Sequence, residues 1–243
     1  MSEKLVDWAR DWARPSPLLF AAFFLLDSFA RALLTTLLPL EALRQLGSGR
    51  DASLLFSIVG WMGIAGTLVV PLMVRRWRPR GVYILACLML VLAAALFAWS
   101  TTIGLAVGML LRAFAAACLL NMLNLYIMAY IPKRSMVRSE PLRTFLSAFA
   151  WSSAPVIGVV LFERVSPLAA YGLSAAFAGA LACYIRVLGI DVPRREREAE
   201  AALTPLRHIA RYFRQPRLRL AWLLTFGREA WWVMFMSYAP VYA

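Results

Sequence analysis

Five ionisable residues stand inside stretches that are otherwise apolar. Asp27 and Arg31 interrupt FLLDSFARALL, Arg112 interrupts MLLRAFAAACLL, and Arg228 and Glu229 interrupt TFGREAWW. An Asp or Arg at the centre of a membrane helix costs about 2.5–3.5 kcal/mol on insertion scales, and such residues face a polar interior or a partner. Asp27, Arg112 and the Arg228–Glu229 pair each lie about ten residues into an apolar run, about 15 Å deep at 1.5 Å per residue. Three helices thus bring charge to one level near the bilayer midplane. The chemistry this suggests is proton binding. Desolvation favours the neutral form of a carboxyl group and a neighbouring cation favours the charged form, so a midplane Asp beside an Arg is poised between two protonation states. Two readings stand open for Asp27. In one it pairs with Arg31 at i+4, a static neutralisation on one helix face. In the other it is the proton-binding group of a water-filled central cavity, with Arg112 as its charge partner and the first, fourth and seventh helices as walls.

The elements that must carry these groups follow from composition. The chain has 243 residues, 62% of them hydrophobic, a mean hydropathy of +0.68 and only 16% charged residues. Soluble domains are nearer half apolar, so this is an integral membrane protein. The net charge of +13 does not mark a nucleic-acid surface, because Lys and Arg fall between apolar runs and not on a soluble face. Cys87, Cys118 and Cys183 lie alone in separate runs and the one histidine is His208. Neither metal-ligand nor disulfide spacing is present, and no cofactor is expected. No secretory signal is visible in the first 17 residues, where Glu3, Asp7 and Asp11 stand among the basic residues.

Runs of about 20 apolar residues cross a core of about 30 Å, and only helices or closed barrels do so without exposing backbone polar groups. The sequence predicts an all-α polytopic bundle with seven spans at 17–40, 53–74, 81–99, 102–131, 142–162, 167–187 and 219–243. The break at Ser100-Thr101-Thr102 is weak, which predicts a tight joint between the third and fourth spans. Placing the N-terminus in the cytosol puts 20 of the 26 basic residues on the inner side: those of the tail, of Arg75–Arg80, of Lys133–Arg143 and of Arg186–Arg219. Arg44, Arg50 and Arg164 alone are outside, and the remaining three are within spans. The segment 188–218 reads as a linker, with Leu206, Ile209, Ala210 and Phe213 opposite Arg207, Arg211 and Arg214. That pattern suits a basic amphipathic helix on the inner leaflet, and a solvated linker explains it equally well. Trp8 and Trp12 suggest a second short interfacial helix.

If spans 1–3 and 4–6 are inverted copies, Asp27 and Arg112 occupy equivalent positions, and a seventh span opening a second copy makes Arg228–Glu229 the counterpart of Asp27. Inverted triplets nested in six-helix halves, with a site at the midplane, characterise the major facilitator superfamily. The chain resembles the first half of such a transporter plus the first helix of the second half. In that family the loop between spans two and three carries Gly, Asp, basic residues and Gly. Here VPLMVRRWRPR (70–80) keeps Arg75, Arg78 and Arg80, while Val74 replaces the Asp and Val70 and Trp77 the glycines. RAFAAACLL keeps Arg112 and has Ala115 and Ala116 where proton-coupled members have Gln and Gly. WSSAPVIGVV keeps Pro155 and Gly158 of the Gly-Pro-x-x-Gly-Gly run of efflux antiporters, with Ala154 and Val159 in place of glycines.

The resemblance implies a secondary active transporter, with protons and a small-molecule solute as its partners in the lipid bilayer of a bacterial inner membrane. Solute efflux is the direction implied by the fifth-span run. It also implies domains at 1–187 (six-helix bundle), 188–218 (linker) and 219–243 (first helix of an incomplete second bundle), the chain being truncated. The expected proton-coupling and cavity residues are Asp27, Arg31, Arg112, Arg228 and Glu229. Asn121, Asn124 and Trp151 are candidate cavity lining, with interhelical hydrogen bonding the alternative for the asparagines. Pro155 should bend the fifth helix and Gly158 should let a neighbour approach closely. Ser57, Gly60, Gly63 and Gly66 give the second span a small-residue edge, and Trp151, Trp231 and Trp232 are candidate aromatic walls. An intramembrane enzyme is disfavoured, because GLSAA (172–176) lacks the second Gly of a serine-nucleophile motif and no span holds His. The alternative is a non-transporting or lipid-handling protein on the same fold, or an inactive fragment.

Overall fold

The computed structural model describes residues 17–130, 133–189 and 213–242, and all the regular structure among them is helical. The predicted helix over 204–214, and with it His208, Trp8 and Trp12, lies outside the described residues or nearly so. In chain order the helices are α1 Pro17–Ala32, α2 Leu37–Leu46, α3 Gly49–Arg76, α4 Pro79–Ala98, α5 Thr102–Tyr130, α6 Lys133–Arg164, α7 Pro167–Leu188 and α8 Pro216–Tyr242. Among the described residues, six spans are long and apolar enough to cross a membrane: α1 with α2 (Leu19–Leu46), α3, α4, α5, α6 from Glu140, and α7. The seventh predicted span is also a helix, α8, but it is not among these six, because Arg228, Glu229 and its run of Trp dilute its apolar character.

The ends of the helices follow local rules. Ser48 and Ser166 cap α3 and α7 by accepting the N–H of Asp51 and Ala169. Gly47 closes α2 in the left-handed region at φ 64°. The joint between α4 and α5 is three residues long, as the sequence predicts, with Ser100 at φ 50° and the Thr101 hydroxyl accepting the Gly104 N–H at 3.1 Å.

One break was not expected. The first predicted span runs straight through residues 33–36, whereas the structure splits it there. Pro39 is the cause: its ring has no N–H and collides with the carbonyl four residues back, that of Thr35. In the resulting turn the Thr35 N–H bonds the Ala32 carbonyl at 3.0 Å, three residues back, and leaves the Arg31 carbonyl free for another donor. Pro155, by contrast, leaves α6 continuous over Lys133–Arg164.

The packing repeats itself. α4 lies along both α5 and α7, α3 packs on α5, and α1 packs on α6 and α7. Exchanging the first span with the fourth, the second with the fifth and the third with the sixth maps α3–α5 onto α6–α1, and α4–α5 onto α7–α1. It returns α4–α7 to itself, so the packing repeats between spans one to three and spans four to six. The close approaches obey the same exchange. Gly66 of α3 meets α5, where an added methyl would lie 3.0 Å from the Ala117 Cβ, and Gly158 of α6 meets α1, where it would lie 2.2 Å from the Leu33 carbonyl oxygen. Gly60 and Gly63 face open space, so the small-residue edge predicted on α3 packs at Gly66 alone.

Two apolar clusters fill the bundle. The first is built around Phe23, Tyr83, Leu119, Met122 and Leu181, the second around Leu33, Leu37, Phe97, Leu105, Met109 and Tyr171. Outside them, α3 exposes Leu54, Ile58, Trp61 and Leu72, α6 exposes Phe145, Phe149 and Val156, and α8 exposes most of its length. Apolar exposure on this scale belongs to a lipid-facing or helix-facing surface.

Candidate functional site in the bundle interior

Asp27 lies between the two clusters, with no exposed surface. One turn before it on α1, Phe23 lies against Tyr83 of α4, the rings tilted by 33° with centroids 4.9 Å apart, and 5.9 Å from Tyr184 of α7. Tyr126 of α5 approaches both Phe23 and Tyr83 edge-on at 6.4 Å. This aromatic layer closes one side of the carboxylate. The Asp27 Oδ2 atom forms an ion pair with the Arg31 Nη2 atom, one turn on. The Oδ1 atom has no hydrogen-bond partner among the described residues.

Arg112 enters from α5. Its Nη2 atom donates to the free Arg31 carbonyl and lies 3.5 Å from the Thr35 hydroxyl, which itself donates to the same carbonyl at 3.2 Å. The sequence made Arg112 the charge partner of Asp27. The structure gives that carboxylate to Arg31 and sets Arg112 on the broken C-terminal end of α1, where the helix dipole presents about half a negative charge. The reason is the break itself, which exposes a carbonyl nearer to Arg112 than the carboxylate buried behind it. Ser174 of α7 donates to the neighbouring Ala30 carbonyl at 3.2 Å. Side chains from α5 and α7 and the Gly158 backbone of α6 therefore all converge on residues 30–33.

Among the described residues Asp27 is sealed from the surface and opens onto no cavity. Arg31, whose side chain is 14% exposed, and the half-buried Arg112 form the layer that reaches the surface. Asp27, Arg31 and Arg112 are brought together and Arg228 and Glu229 are not. The latter two pair with each other at 2.5 Å on the exposed surface of α8, and α8 packs against α2. Asn121 donates to the Ala117 carbonyl of its own helix at 2.7 Å, and Asn124 is exposed. Trp151 is half-buried against the second cluster. Trp231 and Trp232 are exposed on α8. Pro155 and Gly158 are buried, Gly158 at the contact with Leu33. Sequence reasoning missed Thr35 and Ser174. The signal for the first was Pro39, four residues downstream. For the second there was none, because a Ser among Ala and Gly in a span reads as packing.

No metal-binding group of three or more His, Cys, Asp or Glu occurs among the described residues. Among the described residues, six membrane-capable helical spans that repeat their packing in triplets around a charged cluster define a multi-pass membrane protein. Residues 18–243 match the family model of the Major Facilitator Superfamily, and the chain belongs to that superfamily, a family of transporters of small solutes. No curated protein and no solved structure matches the chain.

Proposed function

We propose that the chain forms the proton-coupling bundle of a secondary active transporter in which Asp27 takes and releases the coupling proton. The observation that carries this reading is the burial of a carboxylate whose one engaged oxygen is held by Arg31, on the helix end that Arg112 ties to α5. Protonating Asp27 removes the charge that holds the Arg31 guanidinium. The Arg31 guanidinium then swings away, and the α1–α5 tie, which runs through the carbonyl of the same residue, loosens with it. A break in α1 at that point lets the two halves of the span move separately. This supplies a two-state element biased by one proton, which alternating access requires.

The 20-to-3 distribution of basic residues supports a cytosolic N-terminus, with a bacterial inner membrane as the setting. The exposed apolar length of α8 supports its assignment as the first helix of a second bundle, reached through the linker 188–218 after the six-helix domain 1–187. Efflux rested on Pro155 and Gly158. Gly158 is accounted for by its contact with Leu33, so that pair lends no support to a direction of transport.

The test is difference infrared spectroscopy of the chain in lipid as the buffer is acidified. A band from a buried protonated carboxyl group should appear in the wild type and be missing in Asp27→Asn, with helical content unchanged. If the band is absent from the wild type, or persists in Asp27→Asn, Asp27 is not the proton site.

A further inference from the structure

The charge count around Asp27 does not close. Arg31 and Arg112 together carry two positive charges, and Asp27 returns one. The carbonyl end of α1 offsets about half of the other. The hydrogen-bond count leans the same way. The Nε atoms of both arginines have no partner among the described residues, and neither do the Ser28 and Tyr83 hydroxyls. Four groups able to donate stand against one idle carboxylate oxygen, Asp27 Oδ1. Buried polar groups in native proteins are nearly all satisfied, and an arginine with an idle donor inside a membrane is a costly arrangement. The order of the groups matters as well. Asp27 has no exposure, while Arg31 is 14% exposed and Arg112 is half-buried, so the two arginines are the members of the cluster that reach the surface. A solute entering from that surface meets guanidinium groups before it meets the carboxylate.

We infer that this cluster is an anion site, and that the transported solute carries a carboxylate held by Arg31 and Arg112. A guanidinium presents paired N–H donors that match the two oxygens of a carboxylate, and one bound monoanion offsets the positive charge that Asp27 and the helix end leave over, most fully when Asp27 is protonated. The inference builds on the assignment of Asp27 as proton site and gives it a direction. Protonating Asp27 raises the uncompensated charge from about half a positive charge to about one and a half, so the proton and the anion strengthen each other's binding. The two are then carried together through the membrane and not in exchange.

Benzoate and its neutral, equally shaped amide, benzamide, separate this idea from its rivals. The full chain in lipid nanodiscs is titrated by calorimetry with benzoate, benzamide and the cation tetraphenylphosphonium. Benzoate should bind about tenfold or more tightly than benzamide, because charge-assisted hydrogen bonds are about twice as strong as neutral ones, and tetraphenylphosphonium should not compete with it. Arg112→Gln should lose that preference, Arg112→Lys should retain part of it, and Asp27→Asn should bind benzoate at least as well as the wild type. Equal binding of benzoate and benzamide, or displacement of benzoate by tetraphenylphosphonium, would overturn the anion site without needing any variant. Benzoate binding that is strong but indifferent to buffer acidity between mildly acid and mildly alkaline conditions supports the anion site. That outcome would refute the role of Asp27 in coupling, so the two ideas fail separately.

Discussion

Gly158→Ala adds a single methyl group at the contact between α6 and the broken end of α1. The Cβ would lie 2.2 Å from the Leu33 carbonyl oxygen, with the Leu33 carbonyl carbon at 3.3 Å. Ordinary contact begins about 1.2 Å further out, so the two helices must separate or the turn at 33–36 must shift. The obstacle is backbone, which cannot turn aside as a side-chain tip can. Overpacking of this kind costs about 1–3 kcal/mol. The intrinsic gain of Ala over Gly in a helix, about 0.5–1 kcal/mol, works against it and is outweighed. Gly60→Ala and Gly63→Ala make the same chemical change where nothing lies within 4 Å, so they carry the propensity gain without the clash. Thermal unfolding of the three variants in one detergent should place Gly158→Ala below the wild type and the other two at or above it. The same displacement pulls the Arg31 carbonyl from Arg112, so Gly158→Ala should also raise the reactivity of Arg112 towards phenylglyoxal. An unfolding temperature for Gly158→Ala equal to those of the other two would mean that α6 does not seat on Leu33, and the argument from close approach would fall.

Pro39→Ala restores an N–H and removes the collision with the Thr35 carbonyl, so residues 33–36 should join α1 and α2 into one helix. Hydrogen exchange should slow at the amides of Leu34, Thr36 and Leu37, since those of Thr35 and Leu38 are already bonded, and Arg112 should lose its carbonyl partner; unchanged exchange there would place the cause of the break elsewhere. Arg31→Ala leaves Asp27 buried without a charge partner, a change that costs about 3–5 kcal/mol when the carboxylate stays ionised. Combining it with Asp27→Asn should recover most of the lost stability, and additive losses in the double variant would show that the two do not interact. For orientation, a cysteine placed at Gly47 in a background lacking Cys87, Cys118 and Cys183 should react with an impermeant reagent from outside intact cells, and one placed at Arg194 should not; the reverse pattern would invert the topology.

The spans were legible in the sequence because lipid imposes one requirement on every segment alike, about 20 apolar residues with all backbone groups bonded internally. That requirement is local, so α3 to α7 stand close to where hydropathy puts them, and the Ser100 joint is as short as its weak signal implied. The anomaly of Asp27, Arg31 and Arg112 was equally visible, because a charge in an apolar run is conspicuous without any knowledge of its neighbours. What each charge touches was not visible. Equal depth suggested that Arg112 faces Asp27, yet depth fixes only one coordinate of three. The other two are set by how α5 packs against α1, and by a break in α1 that hands Arg112 a backbone carbonyl in place of the carboxylate. Arg228 and Glu229 share the depth and remain apart from the cluster for the same reason, since α8 packs on α2 and the pair satisfies itself. Pro39 and Pro155 make the point from the backbone side. Both remove the same kind of hydrogen bond, and the helix breaks just before the first and stays continuous through the second. The difference lies in the helices packed around each proline: around Pro39, side chains from α5 and α7 and the bare Gly158 of α6 meet the carbonyls that the break sets free.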